Sequence, residues 1–201
     1  MERPKIQSRF MLLPLLLIIG AACQKEQETK YWEISPNSGA SIIHTILDSI
    51  EFKFCLLDQQ FEPSTIFNEN ENFYFHFSFM NNMQDIIVVS PEFINSEFFR
   101  VYQSVTNIDM GKPWTGIWCE YRSVSKTFNL NPTHRIQLNC PWVLTDISKP
   151  DYPLCMDENQ DYQYLPKGEY FTKVELDFHF MKDDINYVIN NKIFRIYFTI
   201  Q

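Results

Sequence analysis

Three oxygen-bearing side chains, Asp157, Asn159 and Asp161, have the alternate spacing with which a calcium-binding loop begins. Carboxylate and amide oxygens at every second position can converge on one hard cation. The rest of such a loop is missing, because Tyr162 stands at the sixth position, where glycine is needed, and Gly168 at the twelfth, where a bidentate glutamate belongs. The sequence therefore predicts a solvated acidic loop and no metal site.

Groups suited to acid–base or nucleophilic catalysis are scattered along the chain. The sequence contains no G-x-S-x-G elbow, no H-E-x-x-H helix and no glycine-rich phosphate loop. His76 and His179 occupy outward positions of predicted strands, and Asp183 and Asp184 fall in a predicted turn, so we expect all four at the surface. We predict a protein that is not an enzyme and needs no cofactor. An enzyme acting on polysaccharide, which requires two facing carboxylates, stays open as an alternative.

Aromatic side chains are concentrated in the middle of the chain and suggest a binding surface. An aromatic ring packs well against the apolar face of a sugar, whose hydroxyl groups then bond to polar groups at the rim. Trp114, in a segment that contains glycine and proline, is the best candidate for an exposed ring, and Tyr102 and Tyr121 are further candidates. The alternative is that the aromatics of this region, especially Trp118 and Trp142, belong to the core.

Setting Cys23 aside, the chain has four cysteines: Cys55, Cys119, Cys140 and Cys155. An even number in an exported chain is typical of disulfides, so we predict two bonds. Of the three possible pairings, spacing slightly favours Cys140 with Cys155, which would leave Cys55 with Cys119. Four buried free thiols are the alternative. A zinc site is not expected, because no C-x-x-C pair occurs and the histidines (His44, His76, His134 and His179) are not spaced near the cysteines.

The first 22 residues have the features of a bacterial signal peptide. Basic residues precede an apolar run from Met11 to Ile19, which as a helix would span about 14 Å, or half of a ~30 Å hydrocarbon core. The text IIGAAC, which ends at Cys23, resembles the lipobox of bacterial lipoproteins, although Gly20 stands where leucine is usual. The resemblance implies that Cys23 is acylated, for example with palmitate, and becomes the first residue of the mature chain.

These features predict a protein of the outer membrane, held through its N-terminal acyl chains on the periplasmic face or at the cell surface. We expect three parts: a signal peptide at 1–22, a flexible tether at 23–40 and one folded domain at 41–201. The formal net charge of −8 disfavours a nucleic-acid partner, because phosphate binding needs a positive field. The expected partners beyond the membrane are an envelope protein or a glycan.

Alternation with a period of two predicts strands, each with one face in the core. It is clearest around Ile50 to Leu56, Phe73 to Phe79 and Val174 to Phe180. The turn formers Asn190 and Asn191 predict a hairpin between Ile185–Ile189 and a central strand from Ile193 to Ile200. Eight or nine such strands, with Ser41 to Leu47 as a short helix or an extra edge strand, predict an all-β antiparallel sandwich.

Two resemblances support this fold class. The text LPKGEYFTKVELDF, from Leu165 to Phe178, resembles the entry into a late strand of immunoglobulin-like bacterial domains, and the layout of Asn70 to Phe75 and Trp118 is similar to that of BsuPI-type proteinase inhibitor domains. The text from Phe99 to Tyr170 (FRVYQS, GKPWTGIWCEY, LNCPW, LPKGEY) resembles lipoproteins of gut Bacteroidetes whose activity is not known. The resemblances imply an immunoglobulin-like β-sandwich in a lipoprotein, and they make proteinase inhibition an alternative to a binding or accessory role.

Overall fold

The structure is a computed structural model and describes residues 29–35, 38–113, 127–143 and 163–201. In these ranges the chain forms twelve strands and one short 3-10 turn, Pro91–Phe93, and no α-helix. No helix of the described ranges is long and apolar enough to cross a membrane. The strands are β1 (Lys30–Ile34), β2 (Ile42–Leu47), β3 (Ile50–Leu57), β4 (Ile66–Phe67), β5 (Tyr74–Asn81), β6 (Ile87–Val89), β7 (Val101–Gln103), β8 (Asp109–Gly111), β9 (Phe128–Leu130), β10 (Arg135–Pro141), β11 (Gly168–Lys182) and β12 (Ile185–Ile200).

The strands form two packed sheets, which confirms the predicted all-β sandwich. One sheet has eight strands in the order β1-β12-β11-β6-β9, with β4 beside β12 and with β7 and β8 beside β11. The other has four strands in the order β10-β5-β3-β2. The strand count exceeds the predicted eight or nine, and the sandwich is not wholly antiparallel, because β1 and β4 both run parallel to β12.

The alternation in the sequence corresponds to the two faces of the sheets. In β3, β5 and β11 the phenylalanines of the predicted inward parity are fully buried. Phe178 lies at the centre, with its ring centroid 5.2 Å from that of Phe52 and 5.1 Å from that of Phe79 on the facing sheet. Full burial of a Phe side chain contributes about 1.5–3 kcal/mol, so this aromatic layer stabilises the packing of the two sheets.

The longest hairpin turns at a different place from the one predicted. Asp183 and Asp184, with φ of 49° and 61°, connect β11 to β12, and β12 then continues unbroken through Asn190 and Asn191. The predicted hairpin at this asparagine pair is therefore wrong. Asn191 does adopt a positive φ of 54°, but it serves a β-bulge, where the register with β11 shifts between Leu176 and Phe178.

The folded domain begins earlier than predicted. The sequence assigned 23–40 to a flexible tether, but Lys30–Ile34 form β1, which lies in parallel register with β12 from Lys192 to Ile196. Ile34 is only 2% exposed, and the Trp32 ring packs edge-on against Phe194 at 5.3 Å between centroids. Two apolar side chains in a polar stretch were enough to attach the strand. The segment from Ser41 forms β2, the edge of the four-stranded sheet, so of the two alternatives the extra strand is confirmed.

The late text LPKGEY closes one end of the core. Gly168 opens β11, and a Cβ at this position would lie 3.2 Å from the Tyr170 hydroxyl oxygen, so any other residue would press on that ring. Tyr170 is 1% exposed and donates a hydrogen bond of 2.7 Å to the Pro166 carbonyl oxygen. The ring thus lies over the end of the core with its one polar atom satisfied.

Candidate functional site

The structure leaves most of the predicted site residues untested. Tyr102, Cys55 and Cys140 lie in the described ranges. Outside them lie the lipidation candidate Cys23, the aromatics Trp114 and Tyr121, the cysteines Cys119 and Cys155, and the calcium-loop-like residues Asp157, Asn159 and Asp161.

The two described cysteines point to opposite faces of one sheet. Cys140 is opposite Phe75 and points into the core, whereas Cys55 is opposite His76 on the outer face. Side chains on opposite faces cannot be bridged, so the pairing of Cys55 with Cys140 is excluded. Cys55 is a buried free thiol, and the structure therefore lacks the expected bond from Cys55 to Cys119. The part of the disulfide prediction that concerns Cys140 with Cys155 stays a prediction.

The outer face of the eight-stranded sheet is rich in aromatic and charged side chains. Sheet register arranges them in rows across the strands, because residues directly opposite on neighbouring strands point to the same side. The first row contains Tyr102, Phe171 and Tyr197, the second Lys173, Arg195 and Glu33, and the third Glu175, Ile193 and Tyr31.

Below the third row the bulge opens a groove of about 550 Å³. This volume falls within the roughly 300–1,000 Å³ typical of ligand sites. The bulge residues Asn190 and Asn191 form part of its wall, at the point where the extra residue in β12 interrupts the regular pairing with β11. Most of its wall is polar: three amides (Asn95, Asn190, Asn191), two carboxylates (Glu175, Asp177), Thr29 and Lys192, beside Leu176 and Ile193.

Glu175 is held in place by a chain of contacts that begins at Tyr102. The Tyr102 hydroxyl donates a 2.6 Å hydrogen bond to Glu97 Oε2, and Lys173 Nζ lies 3.6 Å from the same oxygen. Lys173 Nζ also donates a hydrogen bond to Glu175 Oε1 at the groove. Burial, and then the Glu97 carboxylate, raises the pKa of Tyr102, so its hydroxyl stays a neutral donor. Tyr102 thus braces a residue of the groove, and the prediction that it binds a ligand stays a prediction.

Tyr31 forms an exposed rim beside the groove. It is 52% exposed, and its neighbour in the row, Ile193, lines the groove. The Arg195 guanidinium carbon lies 5.7 Å from the Tyr31 ring centroid and 5.3 Å from that of Phe171. Arg195 Nη1 is also 3.5 Å from Glu33 Oε2, which fixes the guanidinium. These contacts support the Tyr31 ring, about half of which stays exposed.

The outer face of the four-stranded sheet has a charged cluster of another kind. Glu51, only 8% exposed, accepts contacts at Oε1 from Arg135 at 2.8 Å, Lys53 at 3.2 Å and His44 at 3.4 Å. The hydrogen bond from Arg135 is the main reason that the pKa of Glu51 lies below its usual value. One carboxylate thus joins basic side chains of β10, β3 and β2, and removal of Arg135 would leave a buried charge without its main partner.

The remaining histidines are engaged at the surface, as the sequence predicted for two of them. His76 Nδ1 lies 2.6 Å from Asn139 Oδ1, His179 Nε2 lies 2.9 Å from Asp177 Oδ1, and His134 Nδ1 lies 3.1 Å from the Pro132 carbonyl. Within the described ranges, no three His, Cys, Asp or Glu side chains are grouped so that they could hold a metal ion.

Sequence reasoning missed the groove itself. Its signal was the pair Asn190-Asn191, which was interpreted as a turn because asparagine tolerates a positive φ. A bulge needs the same property, and only the pairing with β11 distinguishes the two.

Comparison with known proteins adds no assignment: no protein-family model matches the chain, and no curated protein matches it.

Proposed function

We propose that this chain is a lipid-anchored binding protein of the cell envelope, without enzymatic activity, and that its ligand is an uncharged glycan held in the groove at the bulge. The observation that carries the proposal is the groove itself, an open cleft of about 550 Å³ with amide and carboxylate walls and an exposed tyrosine on its rim.

The groove wall matches the chemistry of a sugar. Amides both donate and accept hydrogen bonds, and carboxylates accept them, so Asn95, Asn190 and Asp177 suit hydroxyl groups, which also do both. An apolar ligand would leave these polar groups without partners, at a cost of about 1–3 kcal/mol for each buried group. A polyhydroxylated ligand is therefore favoured over an apolar one.

Tyr31 supplies the apolar surface that a sugar ring also needs. The C–H face of a hexose packs against an aromatic ring, and the half-exposed Tyr31 ring is the neighbour of Ile193 in the groove wall. The Arg195 guanidinium lies over the Tyr31 ring and supports it, so little side-chain entropy is lost when the ligand binds.

Charge argues for an uncharged glycan. The groove wall contains two carboxylates, Glu175 and Asp177, but only one cation, Lys192, and the whole chain has a net charge of −8. A polyanionic glycan would be repelled both by the groove and by the chain as a whole.

The anchor, acylated Cys23, is supported by the signal-like segment before it and by the lipobox resemblance, and it would hold the groove at the membrane.

The test is binding of the mature protein to an array of uncharged and charged glycans, followed by calorimetric titration of the retained ones. Tyr31→Ala should raise Kd about tenfold, equivalent to ~1.4 kcal/mol. Tyr187→Ala is the matched control, since Tyr187 lies on β12 away from the groove and is 37% exposed. No retained glycan, or equal Kd values for Tyr31→Ala and the wild type, would refute the proposal.

One observation favours a second candidate, hydrolysis of a glycan. Glu175 and Asp177 both line the groove, and glycosidases use two carboxylates. Against it, both side chains are well exposed, at 41% and 63%, and bind Lys173 and His179. A general acid needs a site that keeps it protonated, such as an apolar pocket. Release of reducing ends from a bound glycan, abolished in Glu175→Gln, would support the enzyme and exclude the binding protein.

A further inference from the structure

We infer that the side of the sandwich formed by β1, β2 and the open edge of β12 is the side that lies against the membrane. The inference rests on the part of the proposed function that concerns acylated Cys23, and it does not depend on the glycan.

The first argument is the reach of the chain. Lys30 follows Cys23 by seven residues, which span at most about 24 Å at ~3.4 Å each. Lys30 is opposite Lys192, and from there β12 extends about 24 Å to Ile185 in one direction and about 27 Å to Ile200 in the other, at ~3.4 Å per residue. The anchor therefore leaves near mid-height, at the edge of the sheet.

This position limits how the domain can stand. If the domain stood on the end near Ile200, the segment from Cys23 to Lys30 would be too short to reach the membrane. If the domain stood on the end near Ile185, this segment would have to be fully extended along the strand, with the loss of nearly all its conformational freedom. With the β1 side against the membrane, no such extension is needed, so this orientation is favoured.

The second argument is the surface itself. β1 contacts β2, so the two sheet edges lie on the same side of the sandwich. Ile42 and Ile46 of β2 are 44% and 57% exposed. Before Asn191, β12 pairs only with β11 among the described strands, so its other edge is open; beside this edge Ile185 and Val188, which project from opposite faces of the sheet, are 56% and 44% exposed. When exposed aliphatic side chains enter the lipid interface, the free energy falls by about 25 cal/mol for each Å² of apolar surface removed from water.

The third argument is charge. The chain is acidic overall, yet Lys30 and Lys192 are neighbours on this side, and His44 stands between the two isoleucines of β2. Lys30 Nζ lies 4.7 Å from the Trp32 ring centroid. A tryptophan with a lysine at its face is typical of the membrane–water boundary, and the two lysines complement anionic headgroups.

The orientation has a consequence for the groove. Thr29 lines it and follows Cys23 by six residues, so the groove lies within about 20 Å of the anchored cysteine. A ligand of this groove would thus be bound close to the headgroup layer of the same membrane.

The test is hydrogen exchange, read by mass spectrometry, on the acylated full-length product. It is compared on vesicles of phosphatidylethanolamine and phosphatidylglycerol and in detergent. We expect the amides of Ile42–Leu47 and 185–190 to exchange about threefold or more slowly on vesicles. The turn at 104–108, with exposed Val105 and Ile108, joins β7 to β8 on the other side of β11 from β12, and it should exchange at the same rate in both.

Two variants sharpen the test. Ile42→Ser with Ile46→Ser should remove the slower exchange at β2, whereas the matched pair Val105→Ser with Ile108→Ser should leave it. Equal exchange at β2 on vesicles and in detergent in the wild type, or slowing at 104–108 instead, would overturn the orientation. A mass that shows no acyl chain on Cys23 would overturn it as well. None of these readings involves a glycan, so the binding proposal is judged separately.

Discussion

Replacing Asn191 should separate the cost of the bulge from the loss of one side chain. Asn191 has a φ of 54°, in a region where a residue with a Cβ is strained by about 1–2 kcal/mol and a β-branched residue is an outlier. Asn191→Gly can keep this backbone at little cost, so we expect its free energy of unfolding to stay within about 0.5 kcal/mol of the wild type. Asn191→Val cannot keep it, and we expect a loss of about 1–2 kcal/mol.

Urea unfolding of the three proteins measures this difference, because the midpoint changes while the slope stays the same if only stability is altered. A loss of 1–2 kcal/mol also lowers Tm, by about 2–4 °C per kcal/mol in a domain of this size. Glycan affinity is the second reading: Asn191→Val should lose it, since the bulge shapes the groove, and Asn191→Gly should keep most of it. Equal stability and equal affinity in the two variants would refute the link between the bulge and the groove.

Two further predictions concern the four-stranded sheet. The pKa of Glu51 is held below its usual value chiefly by the hydrogen bond from Arg135, so the contribution of Glu51 to stability is present above the unfolded pKa near 4.5 and is lost as the pH falls through the folded value. Glu51→Gln should therefore be less stable than the wild type at neutral pH. Equal losses of unfolding free energy in the two proteins between pH 7 and pH 3 would contradict this. Burial raises the pKa of Cys55 to about 11, which lowers its thiolate fraction at pH 8 about a hundredfold. Alkylation of Cys55 should therefore be slow in the native protein and fast in denaturant without reductant. Resistance of Cys55 to alkylation in denaturant would show that it forms a disulfide.

Several parts of the fold were readable from the chain because they depend only on its own period. The phenylalanines that alternate from Phe73 to Phe79 specify one buried and one open face whatever their partner strand is. The same holds for Val174 to Phe180, and both segments were predicted correctly. The prediction that Tyr102 binds a ligand stays a prediction; its contact with Glu97 could not be predicted from the sequence, because it depends on neighbours in the folded sheet.

The tether shows the opposite case. Lys30–Ile34 sit in a polar stretch with only Trp32 and Ile34 as inward residues, so the local pattern gave no sign of a strand. The strand forms because β12 offers an unpaired edge with Phe194 and Ile196 facing the core. Pairing with a distant segment satisfies the backbone hydrogen bonds of β1, and the composition of five residues does not encode that edge.

What the sequence by itself determined was the class of the fold, the two faces of its main strands and the existence of turn-forming pairs at 183–184 and 190–191. What only the tertiary structure decided was which pair ends a strand. Asp183 and Asp184 turn because β11 ends beside them, whereas Asn190 and Asn191 lie opposite a strand that continues, so their positive φ is used in a bulge. The groove follows from that choice, because local propensity states which backbone angles a residue tolerates, and only the partner strand states how they are used.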